Sequence, residues 1–162
     1  MKDQMDYIVF DVEGDDLVPS KFHCLSYHNV TTGNKATLIK QSDMAELLRR
    51  PDTIWIGHNI ARWDLVHIKR LLGVEIKTFF DTLSISWYLE PNRPRHSLES
   101  YGEEFKTHKI EITDWNFLTL DEYVKRCERD VEITYRLWIN QINQLVHLYP
   151  PRTGEELSGR VS

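Results

Sequence analysis

The sequence YIVFDVEG, residues 7–14, contains the first strand that can be predicted along the chain. Four residues rich in β-formers run directly into two acids, Asp11 and Glu13. Because side chains alternate along a strand, residues two apart share a face, so both carboxylates point the same way. Adjacent carboxylates repel each other and raise each other's pKa unless a cation pairs with them. The stretch therefore indicates either a cation-binding strand or a strand end whose acids are hydrated by solvent.

The composition is that of one soluble globular domain. The chain has 162 residues, of which 41% are hydrophobic and 28% charged, and no apolar run has the length of a membrane span. The N-terminus contains acids that a signal peptide lacks, and Cys24 and Cys127 lack metal-type spacing, so we expect a cytoplasmic protein without a disulfide. The net charge of −5 argues against broad non-specific binding to duplex DNA. It is compatible with a small site that meets nucleic acid through metal ions.

The rest of the chain predicts an α/β fold, a mixed sheet flanked by helices. A hairpin follows the first strand, because two β-rich segments flank a turn at residues 32–34. Strands and helices then alternate. The predicted strands are 7–12, 21–30, 35–40, 53–57 and 76–80, and the predicted helices are 43–49, 61–72, 82–88, 98–105 and 120–148.

Polar residues mark the predicted helix ends. Ser42, Asp81, Ser97 and Thr119 stand where N-terminal caps are expected, and Gly73 stands where the helix at 61–72 should end. We assign one domain to residues 1–149. Residues 150–162 are polar and rich in Gly and Pro, and are predicted to form a flexible C-terminal tail.

Two further acids occur where packing does not favour them. Asp64 lies inside a predicted apolar helix, and Asp130 lies near the apolar face of the longest one. Taken singly, each has an ordinary explanation, the helix dipole for Asp64 and a neighbouring arginine for Asp130. With Asp11 and Glu13 they describe a box of four carboxylates from one strand and two helices. Such a box suits two hard divalent cations, which at about 3.5–4 Å apart activate water and stabilise the leaving oxygen of a phosphodiester.

The motifs that contain these acids resemble those of the DEDD family of 3′–5′ exonucleases, which have a ribonuclease-H-like fold. They are FDVEG with Asp11 and Glu13, HNIARWD ending in Asp64, and RDVEIT with Asp130. Their order and distances fit the family, and the resemblance covers about residues 7–148. The chain is especially similar to the N-terminal proofreading domain of phage family A DNA polymerases, as the stretches KFHC, DTLSISWYL, HSLESYG and DWNF also indicate.

The resemblance implies a catalytic and metal-binding role for each acid. Asp11, Glu13 and Asp130 would ligate the Mg²⁺ or Mn²⁺ ion that carries the attacking water. Asp11 would also bridge to a second ion on the leaving oxygen, and Asp64 would act on that second ion through water.

The resemblance also implies three substrate contacts. Leu17 matches an apolar wedge between terminal bases, and Asn59 and Trp63 match positions near the terminal nucleotide. The alternatives are a loop hydrophobe for Leu17, a strand-end cap for Asn59 and a core side chain for Trp63. Asp81 is assigned to helix capping and not to metal binding.

One position departs from the family pattern. The family has a Tyr four residues, or a His five residues, before its last acid to orient the attacking water, and here Arg126 and Lys125 stand at those positions. Tyr123 could substitute only if the helix brought it one turn closer, and His96 or His108 on a nearby loop is the alternative. Arg126 itself is expected to hold a substrate phosphate, or to pair with the carboxylates when metal is absent.

The resemblance therefore predicts an exonuclease that removes nucleoside monophosphates from single-stranded DNA 3′ ends, in replication proofreading or end processing. It would act in the cytoplasm (of the host, if phage-encoded), alone or with a DNA polymerase. One alternative, favoured by Arg126, is a weakly active or inactive module that binds nucleic acid or a polymerase. A second is an RNA-trimming exonuclease of the same fold.

Overall fold

The computed structural model describes residues 4–112, 114 and 118–150, which form five strands and five helices. The strands are β1 (Asp6–Gly14), β2 (Phe22–Asn29), β3 (Lys35–Leu38), β4 (Thr53–Gly57) and β5 (Phe79–Asp81). The helices are α1 (Gln41–Leu48), α2 (Asp64–Leu72), α3 (Thr82–Leu89), α4 (Leu98–Glu104) and α5 (Leu120–Leu148). No helix among these residues is long and apolar enough to cross a bilayer.

The strands form one mixed sheet in the order β3-β2-β1-β4-β5. β2 is antiparallel to both β1 and β3, whereas β4 is parallel to both β1 and β5. The carboxyl ends of β1, β4 and β5 therefore meet at one edge of the sheet. In open α/β sheets this edge is where ligands bind.

β1 is the central strand and is buried on both faces. On one face, Ile8 and Phe10 belong to a core cluster that also includes residues of α1 and α2. On the other face, Val9 packs with Val131 and Trp138 of α5. Because side chains alternate, Asp11 and Glu13 follow Val9 on the face that α5 covers.

Several predicted helix ends are confirmed. Asp81, Ser97 and Thr119 cap α3, α4 and α5, each accepting a hydrogen bond from a backbone amide in the first turn. Gly73 ends α2 in the left-handed conformation, with φ of 66°. The mixed sheet flanked by helices is also as predicted.

The prediction that Ser42 caps α1 is wrong. The helix begins one residue before Ser42, and Lys40 occupies the N-cap without a side-chain hydrogen bond. The side chain of Gln41 instead pairs with both backbone groups of Phe22, with hydrogen bonds of 2.6 and 3.1 Å. This contact with β2 fixes the first residue of the helix.

The predicted helix at 61–72 starts three residues too early. Asn59 has a positive φ of 59°, and the amides of Asn59 and Ala61 donate to the carboxylate of Asp81 at 2.7 and 3.1 Å. The segment before Asp64 is therefore held as a turn. β5 is also shorter than predicted, since it pairs only with the last residues of β4. The predicted tail beyond residue 150 and the DWNF stretch beyond Asp114 lie outside the described residues.

Candidate active site

β1 and α5 bring three of the predicted acids together. Asp11 and Glu13 lie at the carboxyl end of β1, and the thiol of Cys127 on α5 donates to the backbone carbonyl of Asp11 at 3.1 Å. Asp130 lies on α5 about one turn further along. Ligand oxygens of Asp11, Glu13 and Asp130 all lie within 4.8 Å of one another. The three carboxylates could therefore ligate one ion.

Asp64 is the fourth acid and lies at the first residue of α2. It is buried, with 6% of its surface exposed, and lines the same cleft as the other three. Its position in the first turn of α2 favours a carboxylate, because the N-terminal end of the helix dipole is positive. It is not part of the three-acid group described above. The geometry thus gives three convergent acids and a fourth beside them.

The acids have buried oxygens that no hydrogen-bond donor of the described residues satisfies. They are Oδ2 of Asp11, Oδ2 of Asp64 and Oδ1 of Asp130. Buried polar atoms are nearly always paired, so such oxygens call for a partner that binds here. An all-carboxylate set is the ligand type that Mg²⁺ and similar hard cations take. The residues present therefore fit divalent cations.

Burial and mutual repulsion raise the pKa values of these carboxyls. Burial raises the pKa of Asp11 well above its ordinary value, and the charges of Glu13, Asp130 and Asp64 raise it further. Burial raises the pKa of Glu13 to about 7, against the lowering effect of Arg126. The pKa values of Asp64 and Asp130 are also raised, mainly by burial. A bound divalent cation would reverse these shifts by stabilising the ionised forms.

Two cationic side chains contact the acids. The guanidinium Nε of Arg126 lies 3.7 Å from Oε1 of Glu13, an ion pair of the kind expected of this residue from the sequence. Nζ of Lys109 lies 3.3 Å from Oδ2 of Asp130. Sequence reasoning missed Lys109, because it lies in an aperiodic polar connector between α4 and α5 where no local pattern singles out a residue.

One cleft of about 750 Å³ contains all the predicted site residues. It is lined by the four acids, by Leu17, Asn59, Trp63 and Arg126, and further by residues that include His58 and Tyr123. The residues predicted from the sequence lie on β1, α2, α5 and two loops. The fold brings these elements together around the cleft.

The loop after β1 and the start of α2 form one wall of this cleft. Leu17 is 85% exposed, and its backbone carbonyl accepts a hydrogen bond of 2.9 Å from the indole N–H of Trp63. Trp63 is half-buried and packs edge-to-face against Phe22. A Cβ at Gly14 would lie 2.8 Å from Pro19 and 3.0 Å from Trp63, so only glycine allows this close approach. This wall of the cleft therefore exposes the apolar side chain of Leu17 above the well-packed side chain of Trp63.

The three residues suggested for orienting water, Tyr123, His96 and His108, do not lie together. Tyr123 lines the cleft, and its ring stacks on His23 at a centroid distance of 4.2 Å. His96 is buried and hydrogen-bonds to Ser86 at 2.6 Å, and neither His96 nor His108 is among the described residues that line the cleft. A water-orienting role for His96 or His108 stays a prediction, because Lys109 also reaches Asp130 without lining the cleft.

His58 is the histidine that lines the cleft, and it was not singled out from the sequence. Its Nε2 donates to the carbonyl of His96 at 3.0 Å, and its Nδ1 lies 2.8 Å from the Thr82 hydroxyl. Burial lowers its pKa to about 4. It is a neutral wall residue whose two nitrogens are both engaged.

The sequence and the fold were compared with those of known proteins. No protein-family model matches the sequence. DNA polymerase I of Rhizobium leguminosarum is 25% identical over 105 residues, and the match covers 57% of this chain and 10% of the polymerase. The chain thus spans about a tenth of the length of the curated relative it matches.

Solved structures give more extensive matches. NrnC of Brucella melitensis with bound Mg²⁺ has a TM-score of 0.68 and 20% identity, over 89% of this chain and 75% of that one. Exonuclease X in complex with 5′ overhanging duplex DNA has a TM-score of 0.59 and 16% identity, over 85% of this chain and 92% of that one. The chain therefore has the ribonuclease-H-like fold of these nucleases, and its resemblance to DEDD exonucleases is confirmed at the level of the fold.

Proposed function

We propose that this protein is a metal-dependent 3′–5′ exonuclease that hydrolyses phosphodiester bonds at single-stranded DNA 3′ ends and releases nucleoside monophosphates. One observation carries the proposal. Four carboxylates from β1, α2 and α5 line a single cleft, and oxygens of three of them lie within 4.8 Å of one another. That arrangement is chemically suited to little besides divalent cations.

In this proposal Asp11, Glu13, Asp64 and Asp130 hold two divalent cations, Mg²⁺ or Mn²⁺. When bound, such ions activate water and stabilise the leaving oxygen of a phosphodiester. Asp11 would serve both ions, since its oxygen lies in the group with Glu13 and Asp130 and its carboxyl is also affected by the charge of Asp64. The raised pKa values of the free acids imply that binding of the cations releases protons.

The cleft walls would position the strand end. Leu17 is exposed at the rim of the cleft and would insert between the terminal bases. The indole of Trp63 holds the backbone of Leu17 through the hydrogen bond to its carbonyl. Asn59 is held in its left-handed conformation by Asp81, at the edge where β4 ends. Apolar and aromatic contacts of this kind tolerate different bases, as an exonuclease requires.

Two comparisons support DNA as the substrate and a polymerase as the partner. Exonuclease X has been solved with overhanging duplex DNA, and the sequence matches a segment of a DNA polymerase. NrnC of Brucella melitensis has been solved bound to pGG. We propose that the protein acts in proofreading or end processing, in the cytoplasm.

The test is nucleotide release from a 5′-labelled single strand in Mg²⁺ or Mn²⁺. D11A and D130A should each lose at least about a thousandfold in rate, because each removes a carboxylate that holds the reacting centre. D121A is the matched control, since Asp121 is an exposed acid on α5 that pairs with Lys125 outside the cleft. Unchanged hydrolysis by D11A or D130A would refute the mechanism.

The ion pair between Arg126 and Glu13 favours a second candidate, a module that binds a 3′ end without cleaving it. This candidate predicts strand binding without nucleotide release even at high protein concentration. Running DNA and RNA strands of the same sequence in the assay separates the DNA exonuclease from an RNA-trimming enzyme.

A further inference from the structure

Lys109 and Arg126 both contact the acids. The sequence suggested a phosphate contact or carboxylate pairing for Arg126, and it suggested no role for Lys109. Lys109 reaches Asp130 from the connector between α4 and α5, whereas Arg126 reaches Glu13 from α5 itself. Both side chains are mostly buried, with 27% and 18% of their surfaces exposed. Two cations from different elements thus converge on one acidic cluster.

These contacts matter most when no metal is bound. The charges of the other three carboxylates raise the pKa of Asp11, and the charge of Lys109 acts in the opposite direction on Asp11, Glu13 and Asp130 alike. Ammonium and guanidinium groups at 3.3 and 3.7 Å from the carboxylates therefore relieve part of the repulsion. They do so at two of the acids that a metal ion needs, so they compete with the ion for the same negative charge.

Bound divalent cations would change what the two side chains are attracted to. Once metal charge satisfies the carboxylates, the ammonium and guanidinium groups face like charge and lose their anionic partners. In the proposed function, the scissile phosphate of a bound strand would supply a new anion. Arginine and lysine both bind phosphate oxygens well, and arginine does so with two parallel hydrogen bonds.

The chemistry of the two groups limits what they can do there. An ammonium and a guanidinium are donors and have no acceptor, so neither can take a proton from the attacking water. They can stabilise the negative charge that develops on the phosphate oxygens. Their role therefore differs from that of the tyrosine or histidine that the family has near the position of Arg126.

We propose that Lys109 and Arg126 are exchangeable counter-cations of this site. In the metal-free protein each neutralises one metal-ligand carboxylate, and in the substrate complex both contact the non-bridging oxygens of the scissile phosphate. The second half of the proposal rests on the proposed function, because it requires a phosphodiester in the cleft.

The test uses K109Q and R126Q, which remove the charge and retain length and polarity. K125Q is the matched control, since Lys125 is an exposed neighbour on α5 whose ion pair with Asp121 lies outside the cleft. Three quantities are measured for each variant: the melting temperature in EDTA, the Mn²⁺ affinity by calorimetry, and the single-turnover rate of nucleotide release at saturating Mn²⁺.

Relative to K125Q, both variants should melt at a lower temperature in EDTA and bind Mn²⁺ about fivefold more tightly, the upper limit for a partly exposed ion pair. Their release rates at saturating Mn²⁺ should fall about tenfold or more, since each loses a donor to the transition state. K109R, which keeps the charge, should restore all three quantities towards wild type. This rescue separates loss of charge from a general folding defect.

Different results overturn different statements. Unchanged Mn²⁺ affinity in both variants overturns the role in the metal-free protein. If the wild type releases nucleotides and the variants release them equally fast, the phosphate contact is wrong and the exonuclease function stands. If the wild type releases nothing from DNA or RNA, the proposed function and the phosphate contact both fail. A tighter Mn²⁺ affinity in K109Q would still support the role in the metal-free protein.

Discussion

Replacing Glu13 with glutamine should change how the stability of the metal-free protein depends on pH. Burial raises the pKa of Glu13 from 4.5 to about 7 in the folded chain. The folded chain therefore holds this proton more tightly than the unfolded chain. The stabilisation is full below pH 4.5 and is lost as the pH rises through about 7. It amounts to about 3 kcal/mol, because a tenfold change in proton affinity corresponds to about 1.4 kcal/mol.

His58 has the opposite effect over nearly the same pH range. Burial lowers its pKa from 6.5 to about 4, so its unfolded form binds the proton more tightly. Its contribution to stability is full above pH 6.5 and is lost as the pH falls through about 4. These two effects oppose each other, and the raised pKa values of Asp11, Asp64 and Asp130 add to the pH dependence of the wild type. The informative quantity is therefore the difference in free energy of unfolding between E13Q and wild type at each pH.

Urea unfolding in EDTA measures this difference. Between about pH 5 and about pH 8, E13Q should gain about 3 kcal/mol in unfolding free energy relative to wild type. E99Q, at an exposed position on α4, is the matched control and should follow the wild type. A difference between E13Q and wild type that stays constant over this range would refute the reasoning.

Divalent metal should narrow the difference in unfolding free energy between the two proteins. Mg²⁺ at about a hundred times its dissociation constant stabilises a folded protein by about 2.7 kcal/mol. The wild type should gain this stabilisation near pH 8, and E13Q should gain less because it lacks one ligand. The same urea titration, repeated with Mg²⁺ in place of EDTA, checks the result.

Four further substitutions give distinct expectations. G57A should lower the unfolding free energy by about 2 kcal/mol in urea titrations, because its Cβ would lie 2.2 Å from Ile60 Cγ2. D81N should lower it by about 2 kcal/mol and also slow nucleotide release, since Asp81 accepts bonds from three backbone amides at the cleft edge. Thermal melts should show a smaller loss for S97A, which removes only a helix cap, of about 1 kcal/mol. L17A should leave the melting temperature unchanged, because the side chain is 85% exposed, while raising KM for single-stranded DNA about tenfold.

Local sequence patterns were sufficient wherever a residue acts through its own neighbours in the chain. Alternation along β1 placed Asp11 and Glu13 on one face, and Asp81 and Thr119 cap helices through amides two or three residues away. Taken singly, the distant acids Asp64 and Asp130 were ambiguous. Considering all four acids together suggested a metal site, and the motif resemblance then implied a role for each acid.

The predictions failed where a distant residue decides the local structure. α1 starts before Ser42 because Gln41 pairs with Phe22 in β2. α2 starts late because Asp81, some twenty residues further along, holds the preceding turn. Lys109 reaches Asp130 from a segment without periodicity, so nothing in its own neighbourhood indicates the contact.

Asp11 lies on the central strand, so its part of the site should open less often than the parts of the site on exposed loops. Central strands exchange their amide hydrogens only when the whole domain opens, whereas exposed loops open locally and often. The floor of the cleft on β1 should therefore be the last region to lose protection, and the loop carrying Leu17 one of the first. Substitutions in that loop could thus change which strand ends bind, while the acids on β1 keep their geometry.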